Sequence, residues 1–278
     1  RANSFKYLTN KAHSINLGID SAQMSRILKN EINGVISDEK FIFIGNKYKV
    51  AKDANPFVYK TAPTKVYNYI YKQLEGCQKL SISGIFCDKA DIGKSAAAKE
   101  YVSMHRNAVY VDCGINKNRN EFLRALSKEF GIDYKIQVRF LQENLINHIN
   151  TLQNPLIVLD EWGDSSYPVF LENKALWNGT ENKCGWYAMG ADALEQKFTR
   201  SIDLKRVGFS ELFRRFGSKY QSIVPTEEKD RQSFLLDEIK RILKVNKSKF
   251  TPLQMYAKTG GSLTRVFIEL KKEYLGIS

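Results

Sequence analysis

The sequence predicts an α/β fold: a parallel sheet with helices on both faces, preceded by a small all-α unit and closed by a small all-α lid. Three observations predict it. From Leu80 onward, short apolar runs alternate with stretches of helical period. P-L-I-V-L-D, Pro155 to Asp160, is apolar until its terminal acid, the pattern of a parallel strand covered on both faces. After Pro225 the chain reads as helical and basic to its end.

The elements follow in order. S-F-K-Y-L-T-N-K-A-H-S-I-N-L puts Phe5, Leu8, Ala12 and Ile15 at helical spacing, with Ser4 placed as an N-cap. Gly18-Ile19 breaks that helix. Asp20 caps a second, S-A-Q-M-S-R-I-L-K-N, ending near Asn33-Gly34. Ser37-Asp38 opens a third, through Tyr48. Helix, glycine turn, helix is the helix-turn-helix pattern, whose second helix lies in the DNA major groove. Gln23, Ser25, Arg26 and Lys29 form its polar face and are candidate DNA contacts; a protein-docking bundle has the same pattern. Residues 51–62 contain Pro56, lack periodicity and read as a linker.

A helix is expected from about Pro63 to Leu74. L-S-I-S-G-I-F-C, Leu80 to Cys87, is the first strand, and Lys94 to His105 an alanine-rich helix after it. N-A-V-Y-V-D-C is the second strand, with helices following at about 118–130 and 137–152. Pro155 to Asp160, W-Y-A-M-G and K-Y-Q-S-I-V complete the strands. The expected units are therefore residues 1–50, a linker at 51–62, an α/β core at 63–225 and a helical lid at 226–278.

Bulk properties narrow the function. Hydrophobic content of 43% and charged content of 26% suit a globular protein. No apolar run is long enough to span a bilayer and no signal-peptide pattern opens the chain, so a cytoplasmic protein without a membrane partner is expected. The cysteines, Cys77, Cys87, Cys113 and Cys184, form no CxxC pair, and the histidines, His13, His105 and His148, are far apart in sequence. That argues against zinc and for reduced thiols. Net charge is +13, divided as +5 over residues 1–60, +1 over 61–190 and +7 over 191–278. Basic ends around a near-neutral middle point to polyanion contact at the ends; a generally basic surface is the plainer alternative.

The chemistry centres on C-D-K-A-D-I-G-K-S, Cys87 to Ser95, between a strand and a helix. A phosphate-binding turn aims backbone N–H groups and a helix N-terminus at the anion. Gly93 permits close approach, Lys94 supplies charge for the β- and γ-phosphates, and Ser95 offers a hydroxyl to Mg²⁺. The pattern G-x-x-x-x-G-K-[ST] asks for glycine where Asp88 stands. Asp88 and Asp91 each bring a carboxylate near a polyanion, which weakens binding unless they point outward or Lys89 offsets them. Aspartate tolerates left-handed backbone, so the turn can survive. The loop from Asp88 through Lys89, Ala90, Asp91, Ile92, Gly93, Lys94 and Ser95 to Ala96 is thus expected to be a modified cradle, with slow or conditional hydrolysis. Asp160, at a buried strand's tip, can hold Mg²⁺ through water, and Glu161 can orient or deprotonate the attacking water.

The order GKS, then LDE (Leu159 to Glu161), then an arginine pair, then a helical C-terminal lid resembles the AAA+ ATPases. With the helix-turn-helix in front, the chain is most similar to the transposition ATPases related to the phage Mu B protein and the Tn7-type target-selection regulator. The resemblance implies ATP and Mg²⁺ as cofactors, with Lys94 and Ser95 on phosphate and metal, Asp160 supporting the metal and Glu161 activating water. E-L-F-R-R-F, Glu211 to Phe216, resembles the segment bearing the arginine finger that reaches a neighbouring subunit, giving Arg215 first and Arg214 second; plain surface charge is the alternative. G-G-S-L-T-R, Gly260 to Arg265, resembles the second sensor, with Thr264 at the usual arginine position and Arg265 one place on. Asp192 stands where the first sensor is expected.

By the same resemblance, the loop Gly114 to Asn120 faces DNA inside a helical oligomer, with Lys117 and Arg119 on phosphates. A solvated helix-start loop would look the same. Lys240 to Lys249 is a further basic cluster. The implied function is an ATPase that forms a homo-oligomeric filament or ring on double-stranded DNA and directs a transposase of a mobile element to its target. A replication initiator or helicase loader, or a non-catalytic nucleotide-sensing regulator, are the alternatives.

Overall fold

The computed structural model describes residues 9–48 and 57–277. The N-terminal unit is three short helices, α1 (Asn10–Leu17), α2 (Ser21–Leu28) and α3 (Asp38–Lys47). Thr9 caps α1, while Ser4, Phe5 and Leu8 lie outside the described residues. Asp20 caps α2 through a full capping box with Gln23. α2 stops at Leu28, earlier than its periodicity suggested. Leu17, Ile19 and Met24 form a small core, and Asn16 Nδ2 donates to the Lys128 carbonyl at 3.1 Å, joining the unit to the sheet domain.

The rest alternates helix and strand: α4 (Lys65–Leu80), β1 (Ser83–Cys87), α5 (Lys94–Met104), β2 (Ala108–Asp112), α6 (Arg119–Phe130), α7 (Val138–Thr151) and β3 (Leu156–Asp160). After it come α8 (Tyr167–Gly179), β4 (Gly185–Gly190), α9 (Asp192–Asp203), α10 (Phe209–Arg215) and β5 (Tyr220–Gln221). The five strands pair in parallel in the order β2-β3-β4-β1-β5. Each strand sorts its side chains by the two-residue period. Ile85, Ile157, Leu159, Trp186 and Ala188 face the core shared with α6–α10; Phe86, Val158, Tyr187 and Met189 face the core shared with α4 and α5. Both faces are covered, which is why the strands read as unbroken apolar runs.

β1 sits between β4 and β5, yet its chain continues to β2 at the far edge. Connections therefore diverge on either side of β1. A crevice opens at its C-terminal end, where open parallel sheets bind ligands.

Gly185, at the start of β4, lies directly under α4. A Cβ there would meet the Cys77 carbonyl oxygen at 2.2 Å, a backbone atom that cannot turn aside. Gly185→Ala is expected to cost about 3 kcal/mol or more, read as a lowered urea midpoint with an unchanged denaturant slope.

The lid comprises α11 (Glu228–Asn246), α12 (Pro252–Thr259) and α13 (Leu263–Leu275) around Ile239, Ile242, Met255, Val266 and Leu270. Residues 57–62 belong with it. Tyr59 meets Phe267 edge-to-face at 5.0 Å, Lys60 exchanges two hydrogen bonds with Asn246, and Ala62 is buried in the lid core. The fully buried Glu238 of α11 accepts from the Lys65 and Val66 amides at 2.7 and 3.2 Å, fixing the lid to the first turn of α4. Among the described residues, no helix is long and apolar enough to cross a membrane.

Candidate functional site

The loop from β1 to α5 opens the site. Gly93, at φ 91°, begins α5, and no side chain caps that helix. Its first-turn N–H groups are left for an anion, and the helix dipole favours one. Asp91, at φ 60°, supplies the second left-handed residue of the turn, a conformation aspartate accepts.

Both loop carboxylates point away from this opening. Asp88 is 5% exposed. One of its oxygens accepts from the Lys89 amide at 2.8 Å, the other from the Ile223 and Val224 amides at 2.7 and 3.0 Å. Asp88 thus extends the pairing of β1 with β5 beyond that two-residue strand. Asp91 turns to the lid: its oxygens accept from the Ser262 and Thr264 hydroxyls, both at 2.9 Å, and its carbonyl from the Leu263 amide at 2.9 Å. Lys89 reaches Asp192 at 3.4 Å, while Ala90 is exposed and Ile92 buried.

Lys94 is 6% exposed and folds over its own loop, its Nζ donating to the Asp88 and Lys89 carbonyls at 2.9 and 2.6 Å. Burial holds its ammonium below the usual lysine range, and the charges of Glu161, Asp88 and Asp160 pull it back up. The loop and the tip of β3 therefore meet electrostatically across β4.

Asp160, 1% exposed, accepts from the Glu161 amide at 3.0 Å and from the Tyr110 hydroxyl at 2.5 Å. Glu161 has left-handed backbone, φ 48°, at the turn out of the strand. Such strain in a non-glycine residue costs about 1–3 kcal/mol and collects at functional sites. Loss of hydration, then the Asp160 charge, holds the Glu161 carboxyl above the usual carboxylate range, against the pull of Lys94. The turn beyond it is pinned by Lys197, whose Nζ donates to the Gly163 and Ser165 carbonyls at 2.7 and 2.6 Å.

A cavity of about 310 Å³ adjoins Gly93, walled by Tyr59, Ala62, Tyr67, Ala96, Thr264 and Phe267. Its apolar, aromatic lining is of the kind that accepts a flat ring. Sequence reading missed it because Tyr59 and Ala62 fall in the aperiodic stretch 51–62 that reads as a linker, of which 51–56 lie outside the described residues; the aromatics Phe57 and Tyr59 were the available signal. A wider groove of about 730 Å³ runs along α9 from Asp192 to Leu204, and its lining includes neither Lys94 nor Glu161. Tyr110 was missed as well. Burial, then the neighbouring Asp160 charge, pushes its phenol far above the ordinary value, so it stays a donor.

Several of the remaining candidates have partners of their own, and others are exposed. Arg119 pairs with the buried Glu172 at 2.5 Å, and Lys117 with Asp164 at 3.2 Å. Gln23 spends its amide within the N-terminal unit, accepting from Asp20 N–H and donating to the Val35 carbonyl, and Arg26 pairs with Glu31. Ser25 and Lys29 are exposed. Arg215 lies over the Trp177 ring, 4.7 Å from its centroid, whereas Arg214 is exposed. Of the pair, Arg214 is the one presented outward in the single chain. Thr264 engages Asp91, and Arg265 is exposed one position beyond.

The donor set suits Mg²⁺, which takes one or two protein oxygens and completes its shell with water and phosphate. Ser95 and Asp160 are the residues that would supply those two. Among the described residues, no group of three or more His, Cys, Asp or Glu forms a self-sufficient metal cage. No protein family and no curated protein matches the chain.

Proposed function

We propose that this chain is an ATP-hydrolysing, DNA-binding protein that assembles on duplex DNA and directs a transposase to its target. The observation that carries the nucleotide reading is the meeting of two segments remote in sequence. The turn before Lys94 and the acids after Leu159 share one sheet edge, beside a cavity sized for a nucleoside. ATP fits with its base between Tyr59, Tyr67 and Phe267 and its phosphates at the uncapped start of α5.

Binding requires Lys94 to leave the Asp88 and Lys89 carbonyls for the β- and γ-phosphates. Ser95 and Asp160 would hold Mg²⁺, which when bound neutralises charge on the phosphate oxygens. Glu161 takes a proton from the attacking water, and its raised pKa makes it a better base than an ordinary carboxylate. Arg214, exposed at the end of α10, is the residue suited to reach a neighbouring subunit's nucleotide. The DNA and transposase assignments rest on the family resemblance and on the positive charge of both chain ends.

Isothermal calorimetry with an ATP analogue, DNA present, tests the nucleotide reading. Lys94→Ala is expected to weaken binding about 10- to 100-fold, the worth of a lost charge-assisted hydrogen bond. Wild type that binds no adenine nucleotide at millimolar concentration sinks the proposal. Electron microscopy for filaments on duplex DNA, and co-purification with a transposase rather than a helicase, test assembly and partner.

A further inference from the structure

We infer that Tyr110 is a positioning residue for the divalent cation, its phenol fixing the Asp160 carboxylate. The inference rests on the nucleotide reading above and adds a side chain that its motifs do not contain.

Tyr110 lies in β2, in register with Val158 of β3, and packs against the cluster shared by α4 and α5. From there its hydroxyl reaches along β3 to its last residue, donating to Asp160 Oδ2 at 2.5 Å. The other Asp160 oxygen is held by the Glu161 amide. Each carboxylate oxygen thus has one protein donor and keeps lone-pair capacity for a metal-bound water. The ring is itself held, with the Lys99 ammonium over its face at 5.0 Å from the centroid. Lys99, Tyr110 and Asp160 thus form one connected set, and Lys99 stands one helical turn beyond Ser95 on α5.

Packing does not require the hydroxyl. Phenylalanine fills the same volume and removes only the donor, leaving the carboxylate free to rotate. Partners that orient a metal-ligating carboxylate are typically worth 10- to 100-fold in metal affinity.

The test is a Mg²⁺ titration of fluorescent ATP-analogue binding to the full chain, comparing wild type with Tyr110→Phe. In EDTA the two are expected to bind the analogue equally. The Mg²⁺ concentration giving half-maximal enhancement is expected to rise about 10- to 100-fold in the variant. An unchanged Mg²⁺ requirement overturns the inference and leaves the nucleotide reading intact. A lowered one also overturns it, by making the phenol a competitor of the cation. Wild type without Mg²⁺-dependent binding overturns both. Should the phenylalanine variant fail to fold, Lys99→Met loosens the ring from the exposed side of α5. A raised requirement there supports the role, and an unchanged one overturns it.

Discussion

Glu161→Gln is expected to lower ATP turnover by about 10²- to 10⁴-fold while leaving nucleotide affinity within a few-fold of wild type. Glutamine keeps the size of the side chain and its backbone geometry but cannot accept a proton from water. The neighbouring Asp160 does not take over, because its carboxylate is buried and is the one assigned to the cation. pH adds a second readout. The base must be ionised to act, so turnover falls as pH drops through its pKa. That pKa is raised by lost hydration and by Asp160, so the acid limb of the rate profile lies above the range of an ordinary glutamate. Steady-state rates across pH, with analogue binding measured alongside, check both points. A glutamine variant that hydrolyses ATP at the wild-type rate would remove Glu161 from the mechanism.

Asp88→Gly restores the glycine of the usual phosphate-loop pattern and is expected to damage the protein. In wild type the Asp88 carboxylate accepts from three backbone amides, two of them across the sheet at Ile223 and Val224. Removing it leaves those two N–H groups without their acceptor next to a strand of only two residues. Each hydrogen bond to a charged group is worth about 1.5–3 kcal/mol, and added glycine freedom costs about 0.5–1 kcal/mol more. The sum, about 3 kcal/mol or more, is a large share of the stability of a typical domain. Chemical denaturation reads it directly, and hydrogen exchange at Ile223 and Val224 should accelerate first. The same carboxylate points away from the phosphate opening, so no compensating gain in nucleotide affinity is expected. A glycine variant as stable as wild type, or one that binds nucleotide far better, would show that Asp88 does repel phosphate.

What the sequence determined by itself is what short windows encode. Four of the five strands lie within the stretches their apolar runs marked, β4 starts one residue before its run, at Gly185, and the helices that start at Ser21, Lys94 and Arg119 begin where their caps and breaks implied. Period, capping and turn chemistry act over a few residues, so they are readable without knowing the fold. The motif Gly93-Lys94-Ser95 and the acid pair Asp160-Glu161 were legible for the same reason. Tertiary structure alone decided where side chains point. Asp88 and Asp91 looked hostile to phosphate, and what redirects them lies 135 and 171 residues along the chain, at Ile223 and Ser262. Tyr110 reaches Asp160 across 50 residues, Arg119 is drawn to Glu172 across 53, and residues 57–62 become a cavity wall only because the lid folds back on them. A carboxylate takes its meaning from its donors, and when those donors arrive from remote strands and helices no local pattern records them.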